Sequence, residues 1–532
     1  MTVRTAGSHV TGATQLIRLA LRRDRIRIPV WIAGIVGMTG ASARAVQEFY
    51  TTPAQIASYE ATIDSSASSR LFGGVPYDLD TIGGIIAYEI TAVAAIGLAL
   101  MMMFLVVRHT RGEEEAGTSE LVRSGVVGRH AAAFAALVVA LASCLLVGAL
   151  DAVVLVASGV AGSDAAAHGA ALAAMGLVFT GVAAVAAQLV SSALGALGLA
   201  GLVLGVVFVG RGWAAAERSD LVWLSPMAWQ EGVRPFGETR WWLLAPIVGL
   251  AAVLLLAAGA LTARRDHGAG LIHPRAGHAR ASAPLSTPVG LALRTQRGAL
   301  LGWSVGLAVL GLVYGSFSQD IVTMAEANPE ILVVMGADEN DLVRSYYSFI
   351  LAFTCIVATA FTLTSALRLR HDERACLAEP ILATGVSRAR WALSGLAVTV
   401  VGTVVVMGLI GLGTAAMHVA TTGDGSLFWP ILGGAFSYLP AAVLLVGLAV
   451  LLYGVAPRLA VLVWAVFAFA LLQSYLGEIL DLPGWVSGLS PFWHLPLIPS
   501  ESFEVLPALV LTGLGILGVA VGIGALRRRD VG

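Results

Sequence analysis

Lysine is absent from this sequence of 532 residues, in which all 32 basic residues are arginines. A Walker A phosphate-binding loop needs a lysine that reaches the terminal phosphates of ATP. The chain therefore has no such loop, and any ATP-driven process would need a second protein. Complete replacement of lysine by arginine, with abundant alanine, valine and glycine, also favours a GC-rich bacterial genome.

Charge is scarce, at 12% of the residues against about 25% in soluble globular domains. Hydrophobic residues make up 57%, and the mean hydropathy is +0.84. These values exclude a water-soluble fold. A net charge of −1 predicts no nucleic-acid partner. Two of the three cysteines lie in apolar runs and the third in a charged loop, which excludes an extracellular disulfide framework.

Long apolar runs dominate the rest of the chain. About 20 apolar residues cross a bilayer as a helix, and twelve such runs predict an all-α polytopic membrane protein with twelve transmembrane helices. The weakest division is between the fourth and fifth runs, where only Gln188, Ser191, Ser192 and Gly195 indicate a turn. The runs lie near residues 28–48, 82–107, 131–159, 169–190, 194–210, 242–262, 298–318, 345–368, 391–420, 429–453, 459–476 and 504–526.

The distribution of the arginines predicts how these spans are oriented in the membrane. With a cytoplasmic N-terminus, 25 of the 32 arginines lie on the inner side, in agreement with the positive-inside rule. The acidic loop 319–344 then faces outward. We therefore expect a multi-pass protein of the bacterial plasma membrane, in contact with the lipid bilayer, with both termini in the cytoplasm.

The sequence is internally duplicated. Leu19-Ala20-Leu21-Arg22 recurs as Leu291-Ala292-Leu293-Arg294, and the basic stop at 264–266 recurs at 528–530. Both copies have the same parity in the membrane, which indicates parallel repeats. We predict a first six-helix half at 1–263, a cytoplasmic linker at 264–290 and a second six-helix half at 291–532.

An amphipathic segment precedes the first span. At 100° per residue, Arg18, Arg22 and Arg25 share one face of a helix over residues 14–27. Such a helix lies along the inner membrane surface, either as a topology anchor or as an element that transmits force. Its duplicate before the seventh span carries Arg294 and Arg297.

The loop after the second span of each half is densely charged, and its two copies match at an offset of 259 residues. A charged helix in such a loop could dock into a partner's cleft, with ion pairs that fix the register. The residues that repeat at this spacing are Arg111, Glu113, Glu114, Glu120 and Arg129 in the first copy, and Arg370, Asp372, Glu373, Glu379 and Arg388 in the second.

In the first copy, Gly117, Thr118 and Glu120 together with Leu121 and Arg129 resemble the coupling loop of ABC-2-type exporter permeases. The second copy departs from this pattern, because Cys376 and Leu377 replace Gly-Thr. The box at 264–271 and the twelve-span layout resemble the actinobacterial subfamily of polyketide-antibiotic, tetronasin-type exporters.

The resemblance implies two fused six-helix ABC-2 repeats of the type V exporter kind, driven by a separate ATPase. Two coupling loops imply two ATPase subunits per chain, with ATP and Mg²⁺ bound on those subunits and no cofactor or metal in this chain. The matched loop residues of both copies then carry ATPase coupling, and Gly117 and Thr118 belong to the first contact. The chain itself is expected to be a transport subunit and not an enzyme.

Within the spans, polar and aromatic residues are candidates for substrate contact or packing. Arg44 and Glu89 lie at similar depth on consecutive helices, which favours a structural ion pair. Gly201-x-x-x-Gly205 and Gly518-x-x-x-Gly522 predict close helix packing. From depth alone, the candidates for a cavity between the halves are Trp31, Tyr88, Trp303, Tyr346 and Tyr347.

The favoured function is the permease subunit of an ATP-driven exporter of lipophilic or amphipathic, antibiotic-like small molecules. An ion-coupled secondary multidrug transporter is the first alternative, but it should carry an intramembrane relay of carboxylates or histidines, in which this chain is poor. A membrane-embedded assembly or regulatory protein without cargo is the second.

Overall fold

The computed structural model describes residues 10–266, 268–272, 280–317, 342–476 and 483–529, and within these ranges it is helical, without strands. The chain divides into two units, Met1–Ala276 and Gly277–Gly532, with the division inside the predicted linker. Most of that linker's middle, and nearly all of the predicted outer loop 319–344, lie outside the described residues.

The first unit contains eleven α-helices that bear on the argument. They are α1 Ala13–Arg23, α2 Arg27–Phe49, α3 Pro53–Ser65, α4 Ala67–Gly73, α5 Ile82–Val107, α6 Thr118–Arg123, α7 Ala131–Ala157, α8 Gly162–Leu189, α9 Ala193–Ala216, α10 Pro226–Glu231 and α11 Leu244–Arg264. Helix α5 continues through a π-helical turn, Arg108–Gly112, to Glu115.

The second unit is built from a similar series of helices. They are α12 Pro288–Ser316, α13 Leu342–Ala366, α14 Arg368–Arg374, α15 Ala378–Leu382, α16 Arg388–Thr422, α17 Phe428–Ser437, α18 Leu439–Val455, α19 Val463–Leu476, α20 Gly484–Ser487 and α21 Val505–Arg528.

Every predicted apolar run coincides with a helical segment. Ten helical stretches of the described chain are long and apolar enough to cross a membrane, or eleven if the bent pair α1–α2 counts as one span. The predicted eleventh run corresponds to a shorter apolar segment, Leu459–Ser474. A multi-pass helical membrane protein is thus confirmed, and the number twelve stays a prediction.

The uncertain division between the fourth and fifth runs is now resolved. Helix α8 ends at Leu189, and α9 begins at Ala193. The Ser192 hydroxyl caps α9 by accepting a hydrogen bond from the backbone N–H of Gly195 at 3.1 Å. The predicted turn is confirmed.

Three helix contacts of the first unit recur at matched places in the second. In the first unit α2 packs on α7, α5 on α8, and α8 on α11. In the second unit the corresponding contacts are α12 on α16, α13 on α18, and α18 on α21. Each unit therefore pairs its first long helix with its third, and its fourth with its last.

Glycines bring α18 and α21 close together. A Cβ on Gly454 would lie 2.0 Å from the carbonyl oxygen of Gly522, and one on Gly518 would lie 2.8 Å from that of Gly447. The predicted packing role of Gly518 and Gly522 is confirmed. At Gly201 and Gly205 the described structure has no comparably close neighbour, so that part of the prediction is wrong.

The predicted amphipathic helix is a separate element in the first unit only. Helix α1 meets α2 at 65°, with Arg18, Arg22 and Arg25 exposed. In the second unit Arg294 and Arg297 lie inside the continuous helix α12, so the predicted interfacial duplicate is wrong. Two matched positions differ at the bend: Asp24 is a buried carboxylate where Gln296 is neutral, and Pro29, which lacks a backbone donor, stands where the second unit has Leu301.

Candidate functional site

The end of α5 is tied to the bend between α1 and α2. The buried carboxylate of Asp24 accepts hydrogen bonds from Arg108 Nη1 and pairs with His109 Nε2. One helical turn later, Glu113 Oε1 accepts a hydrogen bond from Arg23 Nη1 at 2.6 Å. The predicted coupling residue Glu113 therefore links the charged loop to the amphipathic helix α1.

Arg111 is a buried anchor of this loop. Its Nε and Nη2 donate to the carbonyl oxygen of Ala187 at 3.0 and 2.6 Å, and Nη2 also donates to that of Ala269 at 3.1 Å. Its Nη1 donates to Glu114 Oε2 at 2.8 Å. Since its side chain is fully buried, Arg111 holds the loop against the end of α8 and is not itself a surface contact.

Glu114 joins the loop to the segment that follows α11. Both of its carboxylate oxygens accept from Arg265, at 2.5 and 2.9 Å. The backbone N–H groups of Leu271 and Ile272 donate to the carbonyl oxygens of Gln188 and Leu189, at 3.1 and 2.8 Å. The box at 264–271 thus folds back onto the end of α8 at Leu189, and the start of the predicted linker belongs to the first unit.

The tip of the first loop is the short helix α6. Gly117 precedes it in a left-handed conformation, with φ of 69°, and the Thr118 hydroxyl donates to the carbonyl of Glu113 at 3.1 Å. Glu120 and Arg129 are exposed. So are the apolar residues of this tip, Leu121 at 77% and Val126 at 90%. Large exposed apolar side chains beside charges form a surface suited to a protein partner.

The second loop repeats the anchor and the exposed tip. Glu373 Oε2 accepts hydrogen bonds from Arg529 Nη2 at 2.8 Å and from Tyr453 Oη at 2.6 Å. Arg388 Nη1 donates to the carbonyl oxygen of Arg527 at 3.3 Å. Glu379 is exposed near the start of α15. The loop is therefore fastened to the end of α21 as the first is fastened beyond α11.

The remaining predicted residues of the second loop lie apart from this anchor. Asp372 pairs with Arg368 at 3.6 Å, within the same short helix. Arg370, which matches Arg111 in sequence, leaves its Nε without a hydrogen-bond partner among the described residues. Cys376 takes the place of Gly117 and still adopts a positive φ of 55°. The turn is thus kept without the glycine.

The predicted ion pair between Arg44 and Glu89 does not form. Glu89 accepts instead from the hydroxyl of Tyr59 on α3, and Arg44 is exposed. Similar depth on neighbouring helices did not bring the two side chains together, because the intervening helix α3 supplies a nearer donor.

The predicted cavity residues are all half-buried or buried within their own units. Trp31 lies beside Phe104, and Trp303 lies beside Phe361, with ring centroids 6.1 and 6.5 Å apart. In the packed core of the second unit, the Tyr346 hydroxyl donates to the carbonyl of Tyr314 at 2.8 Å, and Tyr347 lies 2.9 Å from His418 Nδ1. Tyr88 lines a cavity of the first unit.

Several residues that organise the structure were missed by the sequence reasoning. Asp24 is the single acid in a run of arginines, a signal that was available. Arg265 belongs to the basic stop at 264–266, but no sequence pattern joined it to Glu114. His168, which binds Asp151 at 2.7 Å inside the membrane-spanning region, stands 17 residues from its partner, and no sequence pattern joined the two.

Comparison with known proteins places this architecture among efflux permeases. Residues 285–527 match the family model described as the C-terminal domain of the multidrug efflux system permease Rv1217c. Over 531 residues the chain is 37% identical to the multidrug efflux system permease protein Rv1217c of Mycobacterium tuberculosis, covering 99% of this chain and 96% of that protein. Identity at this level along nearly the whole length shows common descent: the chain belongs to the family of the Rv1217c multidrug efflux permease.

Proposed function

We propose that this chain is the transmembrane subunit of an ATP-driven exporter, energised by two separate ATPase subunits that dock on its two charged loops. The relative that shares 37% identity is named a multidrug efflux system permease, which supports export of drug-like molecules. We assign the substrates to lipophilic or amphipathic small molecules of the antibiotic type, in line with the tetronasin-type resemblance.

The observation that carries the proposal is the shared construction of the two loops. Each has an exposed tip and a carboxylate, Glu114 or Glu373, bound to an arginine beyond the last helix of its own unit. A partner that moves the tip would therefore pull on that last helix. The common packing scheme of the two units supports twelve spans in two parallel six-helix repeats.

Orientation and location complete the proposal. The arginine distribution supports cytoplasmic loops and termini in a bacterial plasma membrane. ATP and Mg²⁺ would then bind on the partner subunits at the same side. Because lysine is absent, no P-loop of this chain could substitute for them.

The test uses the full chain, purified with its copurifying ATPase and placed in inside-out vesicles. Glu120→Arg combined with Glu379→Arg is expected to reduce ATP-dependent uptake of a lipophilic dye and the amount of ATPase retained, by about tenfold or more, since reversal of an interface charge costs a few kcal/mol. Glu217→Arg, an exposed charge on the predicted outer side, is the matched control and should keep both.

Two outcomes would contradict the proposal. One is that no Mg-dependent ATP hydrolysis copurifies with the unmodified chain. The other is that the double variant retains ATPase binding and uptake like the Glu217→Arg control. Uptake driven by a proton gradient without ATP would favour a secondary transporter instead.

A further inference from the structure

Four helices of the first unit meet at a buried ionisable pair. His168 Nδ1 on α8 lies 2.7 Å from Asp151 Oδ2 on α7. The other carboxylate oxygen accepts a hydrogen bond from Thr39 on α2 at 2.8 Å, and Thr91 Oγ1 on α5 lies 3.2 Å from His168 Nε2. Asp151 and His168 are almost completely excluded from the surface.

The pair is placed well inside the membrane-spanning region. Asp151 stands six residues before the end of α7, and His168 six residues after the start of α8. At 1.5 Å per residue, both are about 9 Å along their helices from the predicted outer side. A carboxylate at such a depth is expensive to desolvate, and intramembrane ionisable groups mark ion or substrate pathways by default.

Hydrogen bonds between neutral side chains would be enough to hold packed helices together. The second unit joins its helices through hydroxyl groups, with Thr362 Oγ1 2.8 Å from Thr403 Oγ1 and Ser365 Oγ 2.7 Å from Thr399 Oγ1. At the matched offset of 259, Asp151 corresponds to the apolar Ile410. Among the described residues of the second unit, the buried His418 is bonded to the Tyr347 hydroxyl and to no carboxylate. An Asp–His pair of this kind is therefore described in the first unit only.

A cavity of the first unit borders the pair. Its volume is about 30 Å³, which is room for about two water molecules. His168 and Thr91 line it together with Tyr88 and Gln230. Gln230 is only 2% exposed, and neither its amide nitrogen nor its amide oxygen has a hydrogen-bond partner among the described residues. Buried amides need such partners, and the Gln230 side chain belongs to the lining of this cavity.

The other charges around the cavity are already balanced. Glu231 binds Arg211, and Arg234 binds Asp78 Oδ2 at 3.0 Å. Burial raises the pKa of the Glu231 carboxyl, and Arg211 opposes that shift. On α5, Glu89 is bonded to Tyr59 and not to the pair. Asp151 and His168 therefore have no ion-pair partner other than each other among the described residues.

The geometry also fixes where a proton would bind. Nδ1 faces a carboxylate, so it carries the hydrogen of the neutral ring, and Nε2 is left as the acceptor beside Thr91 and the cavity. A hydronium ion that gives its proton to Nε2 becomes water and leaves an imidazolium beside the carboxylate. The pair then changes from a net charge of −1 to zero.

We propose that Asp151 and His168 form a proton-binding site, reached through the Gln230 cavity from the predicted outer side, and that its protonation is coupled to each cycle of export. Proton coupling rests on the proposed export function, whereas proton binding stands independently of it. In this scheme the exporter uses ATP at its loops and a proton at this pair. Acidity on the outer side accelerates transport.

Proton binding is tested first on the purified full chain, by infrared difference spectroscopy between about pH 6 and about pH 8. Carboxylate and imidazole bands should change with pH in the unmodified chain and lose one component each in Asp151→Asn and His168→Gln. His168→Gln keeps an N–H donor toward Asp151, so the fold is expected to survive. Unchanged difference spectra in both variants would overturn the site.

Coupling is tested in inside-out vesicles, whose lumen corresponds to the outer side. ATP-dependent dye uptake is expected to rise severalfold as the lumen is acidified over the same range, and to lose this dependence in Asp151→Asn, His168→Gln and Gln230→Leu. Thr403→Val removes a buried hydrogen bond of the second unit and should keep it. Abolition by Glu231→Gln with retention in Asp151→Asn would overturn the proposal.

The two proposals fail in different ways. Absence of ATP-dependent uptake in the unmodified chain would contradict the export function, while the infrared experiment would still decide proton binding. Uptake that responds to ATP but not to lumenal pH would contradict the coupling alone.

Discussion

Glu373 accepts a hydrogen bond from Arg529 at 2.8 Å, and this contact joins the loop after α13 to the end of α21. The first unit makes the same connection with Glu114 and Arg265. In both units the carboxylate is less exposed than a surface ion pair would be. The pair is therefore a structural clamp, and the solvent-facing charges of each loop remain for a partner.

Loss of the Glu114–Arg265 pair should lower the stability of the chain. Glu114→Gln would leave Arg111 and Arg265 close together without a compensating charge, and breaking a buried pair costs about 3–5 kcal/mol. We expect a clear fall in the unfolding temperature of the purified chain. Glu120→Gln is the control, because this carboxylate is exposed and exposed charges contribute about 0–1 kcal/mol. Equal effects of the two substitutions would contradict the clamp.

The second loop is expected to gain stability from a glycine. Cys376 adopts a φ of 55°, which costs a residue with a Cβ about 1 kcal/mol. Cys376→Gly should slow hydrogen exchange of residues 378–390. Ala375→Gly, at an ordinary φ of −88°, is the control and should speed it. Faster exchange in Cys376→Gly would show that the positive φ carries no strain.

Replacing glycine by alanine should have opposite effects in the close α18–α21 contact and on the open face of α17. Gly454→Ala would place a methyl group 2.0 Å from the carbonyl oxygen of Gly522 and should destabilise the chain by about 1–3 kcal/mol. Gly433→Ala meets nothing within 4 Å and should stabilise α17 by up to about 1 kcal/mol. Thermal unfolding in detergent measures both. A stabilising Gly454→Ala would refute the contact.

The bend between α1 and α2 should depend on one carboxylate. Asp24→Asn removes the charge that holds Arg108 and His109, so we expect α1 to separate more readily from α7. Faster hydrogen exchange of residues 13–23 would report this. Arg25→Gln changes an exposed neighbour and should leave the exchange as it is. If Asp24→Asn has no effect, packing of Ala13 and Ala20 alone holds the helix.

Apolar periodicity sufficed to place the helices, because a span needs a continuous apolar run wherever its neighbours lie. It could not locate the partners of polar side chains. Arg44 and Glu89 lie at similar depth on consecutive predicted spans. The Glu89 carboxylate nevertheless binds Tyr59, which belongs to α3, a helix between those two spans in the sequence. Which donor is nearest depends on tertiary packing, and a single sequence does not record that.

The duplicated motifs predicted the loops better than the helices beside them. Glu114 and Glu373 match in sequence and in their bonds to arginine, since both the loop and the basic stop are repeated. The interfacial duplicate failed because the two copies differ at the bend, where Gln296 and Leu301 stand in place of Asp24 and Pro29. Gln296 accepts from the Ser365 hydroxyl within the helix bundle and gives no cause for a bend.

These differences give the two units different shapes at the same point of the repeat. In the first unit, Glu113 of the loop is bonded to Arg23 of α1, and α1 meets α2 at 65°. In the second unit, the matching residues belong to one continuous helix of 29 residues. A force applied at the two loops would thus meet a bent pair of helices in one unit and a single helix in the other.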